Sequence, residues 1–346
     1  MNSISNTRIN KIKSLLSPER LIQQLPRGDG VTKHINDSRA QLEAIIKGKN
    51  KRLLAIVGPC SIHDVAAALD YAKKLKTLAD KLNNKLCVVM RIYFEKPRTT
   101  IGWKGLINDP KLYGSFSINE GLTTARKLLL DINRLGIIVA TEFVDTITPQ
   151  YLSDLVSWVA IGARTTESQQ HRMLASGLSM PVGFKNNTAG EIKAAVNAVL
   201  AAKHSHSFLG ITEQGMAAIV STKGNDSGHI ILRGGTSGPN YSKEDINRAA
   251  ELLAKNKLNA RVIIDCSHDN CEKNFKKQVH VIDTLCKYLK DKHPSFIGFM
   301  LESNLIAGRQ DLQSAAKIVY GQSITDGCIG WQQTETLLYK IADCIE

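Results

Sequence analysis

Apolar residues change their spacing along this chain. Up to about residue 50 they sit in a polar, Lys-rich background at helical intervals: Ile9, Ile12, Leu15 and Leu16, halted near Ser17-Pro18, then Ala40, Ile45 and Ile46 after Asp37-Ser38, ending at Gly48. That spacing predicts two helices, the first of them short. From Arg52 onward the texture becomes short apolar runs separated by longer helical patterns, as repeated strand-helix units around a parallel sheet require. Eight runs stand out: Leu53 to Val57, Leu86 to Phe94, Ile137 to Thr141, Trp158 to Ile161, Val182 to Phe184, His229 to Leu232, Val262 to Ile264, and Phe296 to Leu301. Eight is the number that closes a (β/α)8 TIM barrel. Between the fifth and sixth runs, Ala194 to Ala202 reads as helix and Phe208 to Ser221 as a small β insertion. The predicted organisation is α/β: an N-terminal helical arm over residues 1–50, for regulation or subunit packing, and a barrel domain over residues 51–346.

A barrel of this kind carries its chemistry on the loops that follow its strands. The exits here are Gly58-Pro59-Cys60-Ser61, then Arg91 with Lys96-Pro97-Arg98-Thr99, then Glu142, then Gly162-Ala163-Arg164 running on to Ser168. Lys185-Asn186, Arg233-Gly234-Gly235, Asp265-Cys266-Ser267-His268 and Glu302-Ser303 complete the rim. Every exit bears an ionisable or metal-capable group, a concentration that scattered loop charges do not produce. Within the second run, Pro97 stops the strand by removing a backbone donor, which leaves its cations at an exposed edge.

Composition narrows the ligands. The chain holds 45 Lys and Arg against 32 Asp and Glu, a formal net charge of +13, which favours acidic partners. Nucleic acid fits poorly, because aromatic content is 5% and no run alternates aromatic with basic residues. The seven cysteines form no Cys-x-x-Cys pair and are odd in number, unlike a disulfide framework. The stretch from Met1 to Arg8 lacks an apolar signal core, and no segment is apolar for long enough to span a bilayer. A reduced, cytoplasmic protein acting on small anions is the expectation.

The rim residues sort into two sets. Cys60, His268 and Glu302, with Asp326 after the last strand as a fourth candidate, mix soft and hard donors, which suits one divalent ion per subunit such as Mn, Fe, Co or Zn. Arg91, Lys96, Arg98, Arg164, Lys185 and Arg233 are too many cations for one phosphate, and two anionic substrates would account for them. The flexible run from Gly234 to Gly238 offers backbone amides to an anion. A thiol hydrolase using Cys60 with His268 is a rival, but it leaves the cations without a purpose. A non-catalytic, anion-sensing barrel is another.

Gly58-Pro59-Cys60-Ser61, Lys96-Pro97-Arg98-Thr99, the stretch from Gly162 to Ser168, Gly183-Phe184-Lys185-Asn186, Ile231 to Gly235 and Ser267-His268 together closely resemble the 3-deoxy-D-arabino-heptulosonate 7-phosphate synthases of the short, metal-dependent type. The resemblance covers essentially the whole chain. The related 3-deoxy-octulosonate 8-phosphate synthases typically carry Ala-Asn-Arg-Ser where this chain has Pro97-Arg98-Thr99, so the loop favours a four-carbon aldose.

The resemblance implies condensation of phosphoenolpyruvate with erythrose 4-phosphate, at the entry to aromatic amino-acid synthesis. It implies that Arg91, Lys96, Arg164, Lys185 and Arg233 hold phosphoenolpyruvate, and that Lys96, Pro97, Arg98, Thr99 and Asp326 contact the aldose. Lys96 is placed to protonate the developing alkoxide, with Glu142 or His268 handling the water proton. It also implies feedback by an aromatic amino acid away from the metal. Phe143, Gln150, Leu178, Ser179 and Phe208 fit that pattern; Thr146 is similar to the tryptophan-sensitive type, Asn6 and Gly210 to the tyrosine-sensitive type, and the balance favours tyrosine. A homodimer or homotetramer is expected from the arm's isolated apolar stripe.

Overall fold

The computed structural model describes residues 4–312 and 318–345, so residues 1–3 of the N-terminal stretch lie outside the described residues. Its centre is a closed parallel barrel. The strands are β1 (Leu53–Gly58), β2 (Leu86–Arg91), β3 (Ile138–Glu142), β4 (Trp158–Ile161), β5 (Val182–Lys185), β8 (Gly228–Leu232), β9 (Val262–Asp265) and β10 (Phe296–Glu302), with β1 closing against β10. β6 (Ser207–Ile211) and β7 (Ala217–Ser221) form the separate antiparallel hairpin between the fifth and sixth barrel strands. Helices α3 (Val65–Leu82), α4 (Ile118–Arg134), α5 (Pro149–Leu152), α6 (Gln169–Gly177), α7 (Ile192–Lys203), α8 (Lys243–Lys255), α9 (Gln278–Lys290) and α10 (Trp331–Asp343) supply the crossovers and the C-terminal segment.

Barrel strands are buried on both faces, which is why their sequences are continuously apolar rather than alternating. The outward faces join the helices in one large core. The inward faces form a second, with Leu54, Ile56, Val89, Trp158, Ile231, Ile263 and Met300 filling the interior. Gly183 makes room there, since a Cβ would come within 2.6 Å of the Trp158 ring. Trp158 donates its Nε1 proton to His229 Nε2 at 3.1 Å, satisfying two polar groups inside an apolar plug.

The N-terminal region departs from its expected pattern. Ile9 to Leu16 is not helical, and Ile9, Ile12 and Leu15 are exposed. Ser17-Pro18 begins a helix instead of stopping one: α1 spans Pro18–Gln24, with Ser17 Oγ accepting from Arg20 N. Proline at the first helical position lacks only an N–H that would be unpaired anyway, and of the short upstream stripe only Leu16 packs on the core, too little to offset helix nucleation. α2 (Asp29–Ile46) starts well before Ala40. Its early apolar positions, Val31 and Ile35, are diluted by charge, yet Leu42, Ile45 and Ile46 enter the inner core and close the floor of the barrel. The turn after it uses Gly48 at φ +75. At the second run the ladder ends at Arg91, three residues short of Phe94, although Ile92 still donates to Ala140 O at 2.8 Å.

Candidate functional site

The opposite end of the barrel from α2 opens into a cavity of about 470 Å³, lined by residues from the second, third, fourth, fifth, sixth, seventh and eighth strand exits. The first exit lies under it. β1 ends at Gly58, where a Cβ would meet Arg91 O at 2.8 Å, and the chain then buries Cys60 completely. Cys60 Sγ and carboxylate oxygens of Glu302 and Asp326 all lie within 4.8 Å of one another. Lys96 Nζ is 2.8 Å from that sulfur and 3.0 Å from Asp326 Oδ2.

These donors fit a divalent cation. A thiol and two carboxylates converge on one point, and the ammonium of Lys96 already stands among them where positive charge is needed. Burial and the neighbouring Glu302 push the Cys60 thiol well up, against the pull of Lys96. Burial alone would lower Lys96, but Cys60 and Asp326 hold its ammonium well above the usual range. Asp326 is held low, chiefly by Lys96.

His268 stands at the edge of this group. Its Nε2 is 3.9 Å from Glu302 Oε1, while its Nδ1 lies 2.9 Å from Asp265 Oδ2 and 2.8 Å from Ser267 Oγ. Its backbone is left-handed at φ +59, a conformation costly for a non-glycine residue and one that collects at functional sites. Four donors are thus brought near one another, three tightly and His268 more loosely.

The cations occupy two depths. Lys185, at the end of β5, lies 2.9 Å from Asp265 Oδ2, and Arg233 lies 2.5 Å from Asp269 Oδ2. Arg164 donates to Thr99 Oγ1 at 2.9 Å, so the loops after β2 and β4 meet over the mouth. Glu142 is a buried part of the wall. Arg91 lies deeper than the other cations: it is 1% exposed, lies 3.1 Å from Glu302 Oε1 and rests 4.1 Å over the Tyr93 ring. It sits within the ladder, one layer beneath the rim, and its charge is answered there.

Asp265 is the residue the sequence reading named at an exit but assigned no role. It is fully buried and touches both Lys185 and His268. Burial pushes its carboxyl up, but Lys185 and His268 overcome that and hold it well below the usual carboxylate range. The same exit rule that selected His268 points to it. Lys273 and Arg309 also line the mouth, and no strand-exit signal marks them.

The suggested effector residues are less concentrated. Phe143 is buried, Asn6 and Ser179 are exposed, and Thr146, Gln150, Leu178, Phe208 and Gly210 are half-buried. Ser179 lines an outer cavity of about 280 Å³ with Arg27, Arg39 and Asp154.

A barrel that sets a thiol-carboxylate cluster able to hold a metal beneath a ring of cations defines an enzyme acting on anionic substrates. The chain belongs to the DAHP synthetase I family, whose sequence model matches residues 31–339. It is 52% identical over 339 residues to the Phe-sensitive phospho-2-dehydro-3-deoxyheptonate aldolase of Escherichia coli (strain K12), covering 98% of this chain and 97% of that protein. Against the Trp-sensitive enzyme of the same strain it is 48% identical over 346 residues, covering 100% and 99%. Among solved structures, the phospho-2-dehydro-3-deoxyheptonate aldolase from Francisella tularensis SCHU S4 superposes with a TM-score of 0.95 at 49% identity, covering 97% of this chain and 98% of that one.

Proposed function

We infer that this enzyme condenses phosphoenolpyruvate with erythrose 4-phosphate, giving 3-deoxy-D-arabino-heptulosonate 7-phosphate and phosphate, the entry reaction of the shikimate pathway. The observation that carries the site assignment is the Cys60, Glu302 and Asp326 cluster at the base of a cation-lined cavity. Arg91, Lys96, Arg164, Lys185 and Arg233 hold the phosphate and carboxylate of phosphoenolpyruvate, while Lys96 to Thr99 and Asp326 receive the aldose. Arg91 acts from below, fixing Glu302. Cys60, His268, Glu302 and Asp326 would hold a divalent ion, which would supply Lewis acidity there.

C3 of phosphoenolpyruvate forms a bond to the aldehyde carbon, and the carbonyl oxygen takes a proton. Lys96 supplies that proton, since its ammonium stands beside both Cys60 and Asp326. Water adds at C2, giving its proton to Glu142 or His268. The C2 hydroxyl then gives up its proton as C2=O forms, and the C2–O bond to phosphate breaks with its electron pair, so the phosphate leaves carrying that proton.

Mn, Fe, Co and Zn all suit the donor set. Feedback by an aromatic amino acid, tyrosine by the pattern of Asn6 and Gly210, belongs to the same proposal, as does a cytoplasmic setting. No helix among the described residues is long and apolar enough to cross a membrane. Exposed Ile9, Ile12 and Leu15, with Leu209 and Ile219 on the hairpin, support an arm within residues 1–50 that packs on a second copy in a dimer or tetramer.

The test follows phosphoenolpyruvate absorbance with erythrose 4-phosphate after chelation, after manganese add-back, and in Cys60→Ala. Metal should restore turnover to the wild type and not to the variant. Consumption with arabinose 5-phosphate alone would transfer the assignment to the octulosonate reaction. No consumption with either aldose would leave an anion sensor.

A further inference from the structure

Glu95 has no part in the chemistry above, yet it is the residue immediately before Lys96. It is 5% exposed, and among the described residues no cation pairs with it. Its partners are neutral donors on the turn after β3: Oε2 accepts from Val144 N at 3.3 Å, and Oε1 from Asp145 N at 3.2 Å and Thr148 Oγ1 at 3.3 Å. Burial, with the charge of Asp145 nearby, pushes its carboxyl up to about 8. A carboxyl buried in such a place is costly unless its hydrogen bonds are made, and here all three hold the turn after β3.

What they hold is the root of a loop whose tip has little apolar support, although Lys96 itself also reaches Cys60 and Asp326. Arg98, Thr99 and Thr100 are exposed, and Ile101 is 90% exposed, so apolar packing does not fix them. The loop closes through Lys96 N to Lys104 O at 2.8 Å, and its far side is met by Arg164 on Thr99. The turn that Glu95 grips is itself anchored, because His171 Nε2 lies 2.9 Å from Val144 O and His171 Nδ1 lies 2.9 Å from Ser168 Oγ. Three rim loops, those after β2, β3 and β4, are therefore laced together, and Glu95 is where the lacing reaches the Lys96 to Thr99 segment.

We propose that Glu95 is a positioning residue for the second substrate: by fixing the root of the Lys96 to Thr99 loop against the turn after β3, it sets the geometry in which the aldose phosphate is bound. The proposal rests on the reading that this loop receives an aldose phosphate. Glu95 touches neither substrate; it acts through the loop.

Glu95→Gln keeps the shape but offers one acceptor oxygen instead of two, and turns its amide N–H toward a backbone N–H. Thr148→Val removes one donor without changing volume. Steady-state kinetics are measured with phosphoenolpyruvate and erythrose 4-phosphate varied in turn, beside thermal midpoints. Loss of one or two buried hydrogen bonds raises the aldose KM roughly tenfold in Glu95→Gln and about two- to threefold in Thr148→Val, with the phosphoenolpyruvate KM within about twofold of wild type. Unchanged KM values overturn the proposal. So does a parallel rise in both KM values with a lowered thermal midpoint, which would make Glu95 a structural brace. Should Glu95→Gln not fold, Thr148→Val decides by the same criteria. Wild-type protein that fails to turn over erythrose 4-phosphate overturns the underlying reaction instead, and the parallel control shows which has failed.

Discussion

Asp265→Asn removes one charge from the point where two functional groups meet. In the wild type, Asp265 Oδ2 lies 2.9 Å from Lys185 Nζ and 2.9 Å from His268 Nδ1, and Oδ1 accepts from Ser267 Oγ at 2.6 Å. Lys185 and Asp265 are both buried, so the variant leaves an ammonium in the interior without its counter-charge, a loss of about 3–5 kcal/mol for pairs of this kind. His268 also loses the acceptor that keeps the Nδ1 proton in place and Nε2 free for a cation, which weakens metal affinity by roughly 10–100-fold. The first effect is read from the urea midpoint of metal-free protein and the second from manganese titration by calorimetry. Stability should fall in the absence of metal, and the metal dissociation constant should rise as well. A variant whose urea midpoint and metal affinity both match wild type would refute the reasoning, because neither Lys185 nor His268 would then depend on Asp265.

Three further outcomes follow from other parts of the molecule. Burial holds His229 down to about 4 from 6.5, so it is neutral when folded and binds a proton on unfolding across that window. Its stabilising effect is complete above about pH 6.5 and is lost as pH falls toward 4, by about 3 kcal/mol. Urea midpoints at pH 7 and pH 5 should therefore converge more in His229→Gln than in wild type, and equal pH slopes would count against it. Arg126 is fully buried, holds Asp154 through two nitrogens at 2.7 and 2.9 Å, and donates to Leu25 O and Tyr151 O. Arg126→Met should cost roughly 3 kcal/mol in urea denaturation, at the low end for a broken buried pair because Arg27 still reaches Asp154 at 2.6 Å. With a net charge of +13, kcat/KM for phosphoenolpyruvate should fall as ionic strength rises from about 0.01 to 0.15 M, where the screening length shrinks from about 30 to 8 Å; a flat profile in stopped-flow or steady-state rates would exclude long-range steering.

The barrel was legible because each strand is buried on both faces, so its apolar run is unbroken and its end is marked by the first polar residue. Trp158–Ile161 was readable to the residue for that reason. The hairpin was readable because its runs flank the turn residues around Gly215. The amphipathic segments fared worse. α2 spreads its buried positions among Asp, Lys and His, and a helix that caps a barrel floor needs only a few apolar contacts. Ile9 to Leu16 has helical spacing, but Ile9, Ile12 and Leu15 are exposed and only Leu16 packs on the core, and spacing alone does not pack a helix. At the site, the exit rule finds residues that end strands, including Cys60, Lys185, Asp265 and Glu302. It does not tell how far below the rim a side chain sits, as with the buried Arg91, because that depends on how deep in the ladder the residue lies. Glu95 escaped for a related reason: two of its three partners are backbone amides, which have no sequence signature, and the third is the hydroxyl of Thr148.

The site separates its charges by depth, and that separation has a physical logic. Arg91 faces Glu302, Lys185 faces Asp265, Arg233 faces Asp269 and Lys96 faces Asp326, so the deeper cations are neutralised within the protein before any substrate arrives. A buried cation left unpaired would cost several kcal/mol, and a carboxylate beside it keeps it charged and fixed. At the mouth the requirement reverses. Among the described residues no carboxylate pairs with Arg98 or Arg164, and Arg164 is held by the neutral hydroxyl of Thr99. Water stabilises these cations at little cost, and they stay available to an incoming phosphate. An anion thus meets free positive charge at the entrance and a preorganised, internally balanced lattice at the reacting centre. The two layers ask for different residues: exposed arginines on loops above, and paired charges at strand ends below.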